Sequence, residues 1–143
     1  MSEIILSINP EYVDKIITGK KRFEYRTKIP KKEVDKIIIY CTFPTMKILA
    51  EADIKKILAL PPKELWERTK KRSGISEEKY FEYFKGRDIA YAFALGKINK
   101  FAQPKELSDF GCMNPPQSFV YVNKKTLRRI ELQMASEMDS ELW

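Results

Sequence analysis

The sequence predicts an α+β fold, a small mixed β-barrel of about five or six strands with helices packed outside it. Three observations predict it. Short apolar runs rich in β-branched and aromatic residues recur at residues 4–8, 37–41, 89–98 and 118–122, each of strand length. Stretches of helical periodicity are inserted between them, while most strands are joined by short turns. A chain of 143 residues, 43% hydrophobic and 12% aromatic, is long enough to bury one core without disulfides or metals.

Residues 3–8 read as the first strand. Asn9 and Pro10 open a helix, with Asn as cap and Pro in the first turn where its missing N–H costs nothing. Val13, Ile16 and Ile17 form the stripe for burial, and Gly19 is the stop. Residues 22–27 are the second strand, and 28–32, with Pro30, a basic loop. Residues 35–43 hold the run Ile37-Ile38-Ile39-Tyr40-Cys41, apolar on both faces as in the middle of a sheet. Pro44 breaks it. Residues 46–58 alternate through Ile48, Ala50 and Ala52, with Leu49, Glu51 and Asp53 on the other face. Pro61-Pro62 starts a helix to about residue 71, anchored by Leu65 and Trp66. Ser73-Gly74 breaks it, Ser76 caps another helix to residue 85 carrying Tyr80, Phe81 and Phe84, and Gly86 ends that one. Residues 89–98 are a strand that 101–104 extend or terminate, 106–116 a loop and 118–122 the last strand. Asn123 then caps a C-terminal helix with Leu127, Ile130, Met134 and Met138 on one face. The expected organisation is a single unit over residues 1–123 with an extension, 124–143, packed on it and a monomer favoured.

Histidine is absent, which excludes Ser-His-Asp and Cys-His machinery and leaves any general base to Lys, Glu, Asp or Tyr. Cys41 and Cys112 are far apart, form no C-x-x-C pair and suggest neither a disulfide framework nor a zinc site. Cys41 reads as a buried thiol. No cofactor is implied. No leader and no run of roughly 20 apolar residues is present, so a cytoplasmic protein away from membranes is expected. The net charge is +7, and residues 20–36 hold eight Lys or Arg against three Asp or Glu. Charge concentrated in this way is the footprint of a polyanion such as nucleic acid, and it equally fits a small basic protein that uses lysine for solubility.

At the centre of that basic region lies Gly19-Lys20-Lys21-Arg22-Phe23-Glu24-Tyr25-Arg26. If residues 22–27 are extended, Phe23 and Tyr25 point one way and Arg22, Glu24 and Arg26 the other. A carboxylate between two guanidiniums is neutralised and oriented, and would floor a pocket for an anionic or strongly polar ligand. The same alternation also fits an amphipathic strand with a solvated charged face.

Gly19, Lys21, Glu24 and Arg26 match the pattern G-x-K-x-x-E-x-R, so the chain resembles the ASCH domain family of the PUA-like superfamily. Ser7-Ile8-Asn9-Pro10, the segment Tyr40 to Pro44, Phe110-Gly111 and Pro115-Pro116-Gln117-Ser118-Phe119 also resemble stand-alone members. The resemblance covers residues 2 to about 123. It implies a PUA-like pseudo-barrel with a cleft beside the motif that binds RNA or a nucleotide, in transcription, translation or RNA metabolism. The candidate binding residues are Gly19, Lys20, Lys21, Arg22, Glu24, Arg26, Thr42, Phe43, Gln117 and Ser118. Lys21 and Arg26 would neutralise phosphate or bond a base carbonyl, and Glu24 would accept from an amino group or hold Arg26. Phe43, its strand ended by Pro44, would offer a stacking face. Lys20, Arg22, Lys28, Lys31 and Lys32 would form a phosphate track. The alternative is a hydrolase acting on RNA or on a modified nucleoside, with Lys21 as general base and Glu24 beside it. Lys21 matches the catalytic lysine of amidohydrolase-like members, but Glu24 occupies the position of their threonine nucleophile. Like charge from Arg22 and Arg26 lowers the Lys21 pKa and Glu24 raises it, so the sequence leaves the sign open.

Overall fold

The computed structural model describes residues 2–122. Six strands and three helices follow in the order β1 (Glu3–Ile8), α1 (Pro10–Ile17), β2 (Phe23–Arg26), β3 (Lys36–Cys41), β4 (Lys47–Leu60), α2 (Pro62–Thr69), α3 (Glu77–Tyr83), β5 (Ala90–Lys105) and β6 (Phe119–Tyr121). The strands make one sheet in the order β2-β5-β4-β3-β1-β6. Only β1 and β3 run parallel; the remaining pairs are antiparallel. The register of β4 against β5 shifts in three places. Bulges of this kind bend a strand and increase its twist, so these two long strands curl the sheet into a half-barrel. The predicted α+β class and strand count hold.

The triple isoleucine of β3 explains its central place. Ile37, Ile38 and Ile39 are all buried, because α1 covers one face and the segment carrying Leu107, Phe110 and Cys112 lies on the other. Val13 and Ile16 are the buried stripe of α1, with Ile17 packed at its margin. A separate aromatic cluster joins the helices to the start of β5: Tyr25, Leu65, Trp66, Tyr80 and Phe84 pack with Ala90 and Ala92. Its rings meet edge to face, Tyr25 on Tyr80 at 5.0 Å and Tyr80 on Phe84 at 4.9 Å, an arrangement ring quadrupoles favour. Ser76 caps α3 by accepting from the Lys79 amide, and Cys41 is buried.

Several boundaries move. Strand β2 begins at Phe23, so Arg22 precedes it. Helix α2 ends at Thr69 and the chain tightens into a 3-10 turn over Lys70–Arg72. Within the predicted loop 106–116 a 3-10 turn forms at Leu107–Phe110, closed by a reciprocal capping box between Glu106 and Asp109. Asn9 stands at the N-cap of α1, yet its side chain makes no cap bond. The C-terminal extension lies outside the described residues. Among the described residues no helix is long and apolar enough to cross a membrane.

Candidate functional site

A cavity of about 370 Å³ opens between α1, β2 and α3. It is lined by Ser7, Ile8, Asn9, Tyr12, Lys21, Glu24, Tyr25, Arg26, Ile75, Lys79 and Tyr83. That volume lies within the roughly 300–1,000 Å³ typical of small-molecule sites. Topology brings these residues together. Helix α1 leaves the end of β1 and returns the chain at Gly19, whose φ of +82° suits a residue without Cβ. The next residues enter β2 beside β5, leaving Lys21, Glu24 and Arg26 beneath the helix.

Glu24 and Arg26 form an ion pair of 2.9 Å with side chains only 8% and 13% exposed. The same Arg26 nitrogen donates to the Ser7 carbonyl at 2.8 Å. The arginine therefore staples β2 to β1, which are not neighbours in the sheet. Arg22 does not complete a two-guanidinium sandwich around Glu24. Its side chain donates to the Leu95 and Gly96 carbonyls, both at 3.1 Å. It lies before the strand, where the expected alternation does not apply, and β5 carbonyls capture it.

Lys21 is 2% exposed. Its ammonium donates to the Ser73 carbonyl at 2.7 Å and lies 5.2 and 4.8 Å from the centroids of the Tyr12 and Tyr25 rings, within cation–π range. Burial lowers its pKa to about 8, against the opposing pull of Glu24 and with help from Lys15 and Arg26. The sign the sequence left open is thus decided by desolvation, and Arg22 is not among the groups responsible. Tyr25 shares a 2.7 Å hydrogen bond with Thr69, and burial pushes its hydroxyl up to about 12. An exposed pair, Lys79 with Glu11 at 3.8 Å, links α3 to α1.

The remaining candidates divide. Gly19 and Lys20 sit at the turn just outside the cavity. Thr42 borders the lining residue Asn9, its hydroxyl 3.4 Å from the Asn9 side-chain oxygen. Phe43 follows it and is 79% exposed. Gln117 and Ser118 do not line the cavity, although the preceding Pro116 carbonyl accepts from Ser7 at 2.7 Å. Lys28, Lys31 and Lys32 lie beyond the other end of β2, where the Lys32 amide bonds the Tyr121 hydroxyl. Lys20 instead neighbours the 3-10 turn over Lys70–Arg72, since Arg72 donates to the Gly19 carbonyl at 3.5 Å. The basic track expected from sequence is therefore in two parts. Lining residues that the sequence pattern does not single out include Tyr12, Tyr25, Ile75, Lys79 and Tyr83; Ile75 falls in the break between two helices, and the others read on periodicity as ordinary helix and strand positions. Ser7 and Asn9 were legible only as part of a family-like segment. Among the described residues no group of three or more His, Cys, Asp or Glu could hold a metal ion.

The model of the ASCH domain matches residues 6–100. The ASCH domain-containing ribonuclease of Zymomonas mobilis subsp. mobilis is 29% identical over 133 residues, 90% of this chain and 89% of that protein. The crystal structure of ASCH from Zymomonas mobilis aligns with a TM-score of 0.80 at 29% identity, covering 90% of this chain and 92% of that one. ATP synthase subunit alpha of Ureaplasma parvum serovar 3 is 30% identical over 120 residues, 83% of this chain, but the chain spans only 15% of that protein's length.

Proposed function

This chain belongs to the ASCH domain family, and from that premise we propose that it binds single-stranded RNA as a PUA-like module, seating one unstacked nucleotide in the cavity over Lys21, Glu24 and Arg26. The observation that carries this reading is the concentration of a buried ammonium, a buried carboxylate and a guanidinium on one side of a 370 Å³ cavity. Polar groups withdrawn from water in this way are poised to discriminate, because a ligand lacking the complementary atoms leaves them unpaired. Lys21 and Arg26 supply donors for phosphate or carbonyl oxygen, and Glu24 supplies an acceptor for an amino group or ribose hydroxyl. Exposed Phe43 takes a neighbouring base on its ring face. Lys20 and the Lys70–Arg72 turn on one side, and Lys28, Lys31 and Lys32 on the other, meet the phosphates. The PUA-like assignment, a regulatory role in RNA metabolism and a cytoplasmic site of action belong to the same proposal.

Titrating a fluorescein-labelled ten-residue oligouridylate at two salt concentrations tests it. Affinity falls with salt as counterions are released. No binding at low salt, or binding indifferent to salt, overturns the proposal.

One observation favours a hydrolytic reading beside it. An amine brought down to about 8 is available as a base near neutral pH, and the Zymomonas relative of comparable length is a ribonuclease. In this reading Lys21, with Glu24 close by, takes the proton of a ribose 2′-hydroxyl as its oxygen attacks the adjacent phosphorus, the P–O5′ bond breaks and the departing 5′-oxygen takes a proton from solvent. Incubating labelled RNA with the wild type and Lys21→Ala separates the readings: cleavage lost in the variant supports hydrolysis, and intact RNA in both leaves binding alone.

A further inference from the structure

Residues 72–75 carry no recognisable motif, and in the sequence they are only a break between two helices. In the fold, their hydrogen bonds converge on the chain around Lys21. The Arg72 carbonyl accepts from the Arg22 amide at 2.8 Å, and the Arg72 side chain reaches the Gly19 carbonyl. The Ser73 carbonyl accepts from the Lys21 ammonium at 2.7 Å, and the Gly74 carbonyl accepts from the Lys15 ammonium at 3.2 Å. Ser73 is itself buried, with its hydroxyl turned onto the Ile75 carbonyl.

Gly74 makes the closest approach. A Cβ placed on it would lie 2.5, 2.6 and 2.9 Å from Cβ, Cγ and Cδ of Lys21, and its φ is +67°. These carbons are the root and stem of the lysine, not its mobile tip, so they cannot swing aside without moving the ammonium. Gly86 offers a natural contrast. Its φ is +76°, yet a Cβ there would meet nothing within 4 Å.

We propose that residues 72–75 are a positioning clamp for Lys21, with Gly74 as the residue that must lack a side chain, and that this clamp aims the lysine ammonium at the cavity. The inference rests on the cavity being the nucleotide site. One N–H of Lys21 is held by the Ser73 carbonyl, and the Tyr12 and Tyr25 ring faces flank the group. The charged groups that act on it are Lys15 from α1 and Glu24 and Arg26 from β2. Lys21 lines the cavity, so an anionic or carbonyl oxygen of a ligand seated there would complete its donor set. The depressed pKa agrees with this placement: the clamp keeps the amine desolvated, and a released lysine would return toward its ordinary value.

The test compares Gly74→Ala with Gly86→Ala, which impose similar left-handed backbone strain but differ in the neighbour they meet. Lys21 acylation by acetic anhydride, followed by mass spectrometry across pH, reports both access and protonation of the amine. Gly74→Ala is expected to raise the limiting, high-pH rate of Lys21 acylation about tenfold through access and to move its pH midpoint upward from about 8, while Gly86→Ala matches the wild type in both. Equal reactivity and an unmoved midpoint in Gly74→Ala overturn the clamp. Should Gly74→Ala fail to fold, the Lys21→Gly/Gly74→Ala double variant decides. Recovery to the stability of Gly86→Ala in the same Lys21→Gly background supports the clamp, and no recovery refutes it. The ten-residue oligouridylate is titrated in parallel. If the wild type does not bind it, the ligand reading fails, while the acylation profile still decides the clamp.

Discussion

Lys20 and Lys21 are adjacent in the chain and identical in chemistry, yet they belong to two different regions of the molecule. Lys20 lies on the exposed turn beside Lys70–Arg72, its charge screened by water and salt. Lys21 lies under α1 with its ammonium on a backbone carbonyl and between two tyrosine rings. The same division separates the cavity floor, Lys21 with Glu24 and Arg26, from the basic loop Lys28, Lys31 and Lys32. Charges in the first region are costly to leave unpaired, and Lys21 among them responds to pH; those in the second are individually cheap and respond to ionic strength. Position relative to water, not residue type, decides which behaviour a basic residue shows.

The sharpest way to break this contrast is Glu24→Ala. Removing the carboxylate leaves the Arg26 guanidinium poorly compensated inside the protein, and breaking such buried pairs costs about 3 kcal/mol or more. Urea unfolding is expected to show a loss of that order. A loss below about 0.5 kcal/mol would place the pair with ordinary surface charges.

Lys21→Met comes next, and it has two readouts of opposite sign. Oligouridylate affinity in the wild type is expected to fall as pH rises through about 8, because the ammonium loses its proton; in Lys21→Met the affinity is lower by about tenfold, or 1.4 kcal/mol, and that pH step is absent. Stability moves the other way. The folded-state pKa of about 8 lies below the unfolded value of 10.5, so between these values the unfolded chain holds more protons and unfolding becomes harder as pH rises. Tyr25, pushed up to about 12, and Tyr80, also raised by burial, reverse this trend above about pH 10. Denaturant midpoints of wild type and variant across pH 7.5–10 check the window, and parallel curves would refute it.

Phe43→Ala probes the rim. With the ring 79% exposed, its removal leaves the unfolding midpoint almost unchanged, whereas loss of a stacked base weakens RNA binding by about 1–2 kcal/mol. Equal affinity for both proteins would remove Phe43 from the interface. The smallest effect per residue belongs to the basic loop. Replacing Lys28, Lys31 and Lys32 together with Ala should leave stability within about 0.5 kcal/mol and flatten the salt dependence by about 0.7 for each phosphate no longer neutralised. An unchanged slope would assign the phosphates to Lys20 and the Lys70–Arg72 turn alone.

Much of the fold was legible in local patterns. The isoleucine run of β3 could only be central, and Val13 with Ile16 marked the buried face of α1. Ser76 announced its cap. Boundaries were less legible where tertiary bonds compete with alternation, as at Arg22, which the carbonyls of Leu95 and Gly96 draw away from the face of Glu24. Within the candidate site, Lys21, Glu24 and Arg26 were visible as a spaced charge pattern. Tyr12, Ile75, Lys79 and Tyr83 were not, because residues that meet only through folding leave no short-range spacing to read.

The amino-acid sequence by itself determined the α+β class, the six strand-forming segments, the absence of histidine chemistry and the cluster of basic residues around one acidic one. Those properties depend on local periodicity and composition, which each segment carries wherever it lies. Only the tertiary structure decided which lysine is buried, that desolvation outweighs Glu24 in setting its pKa, and that a glycine 53 positions later in the chain must give it room. Desolvation and steric exclusion depend on which surfaces meet, and that is settled when the helices close over the sheet.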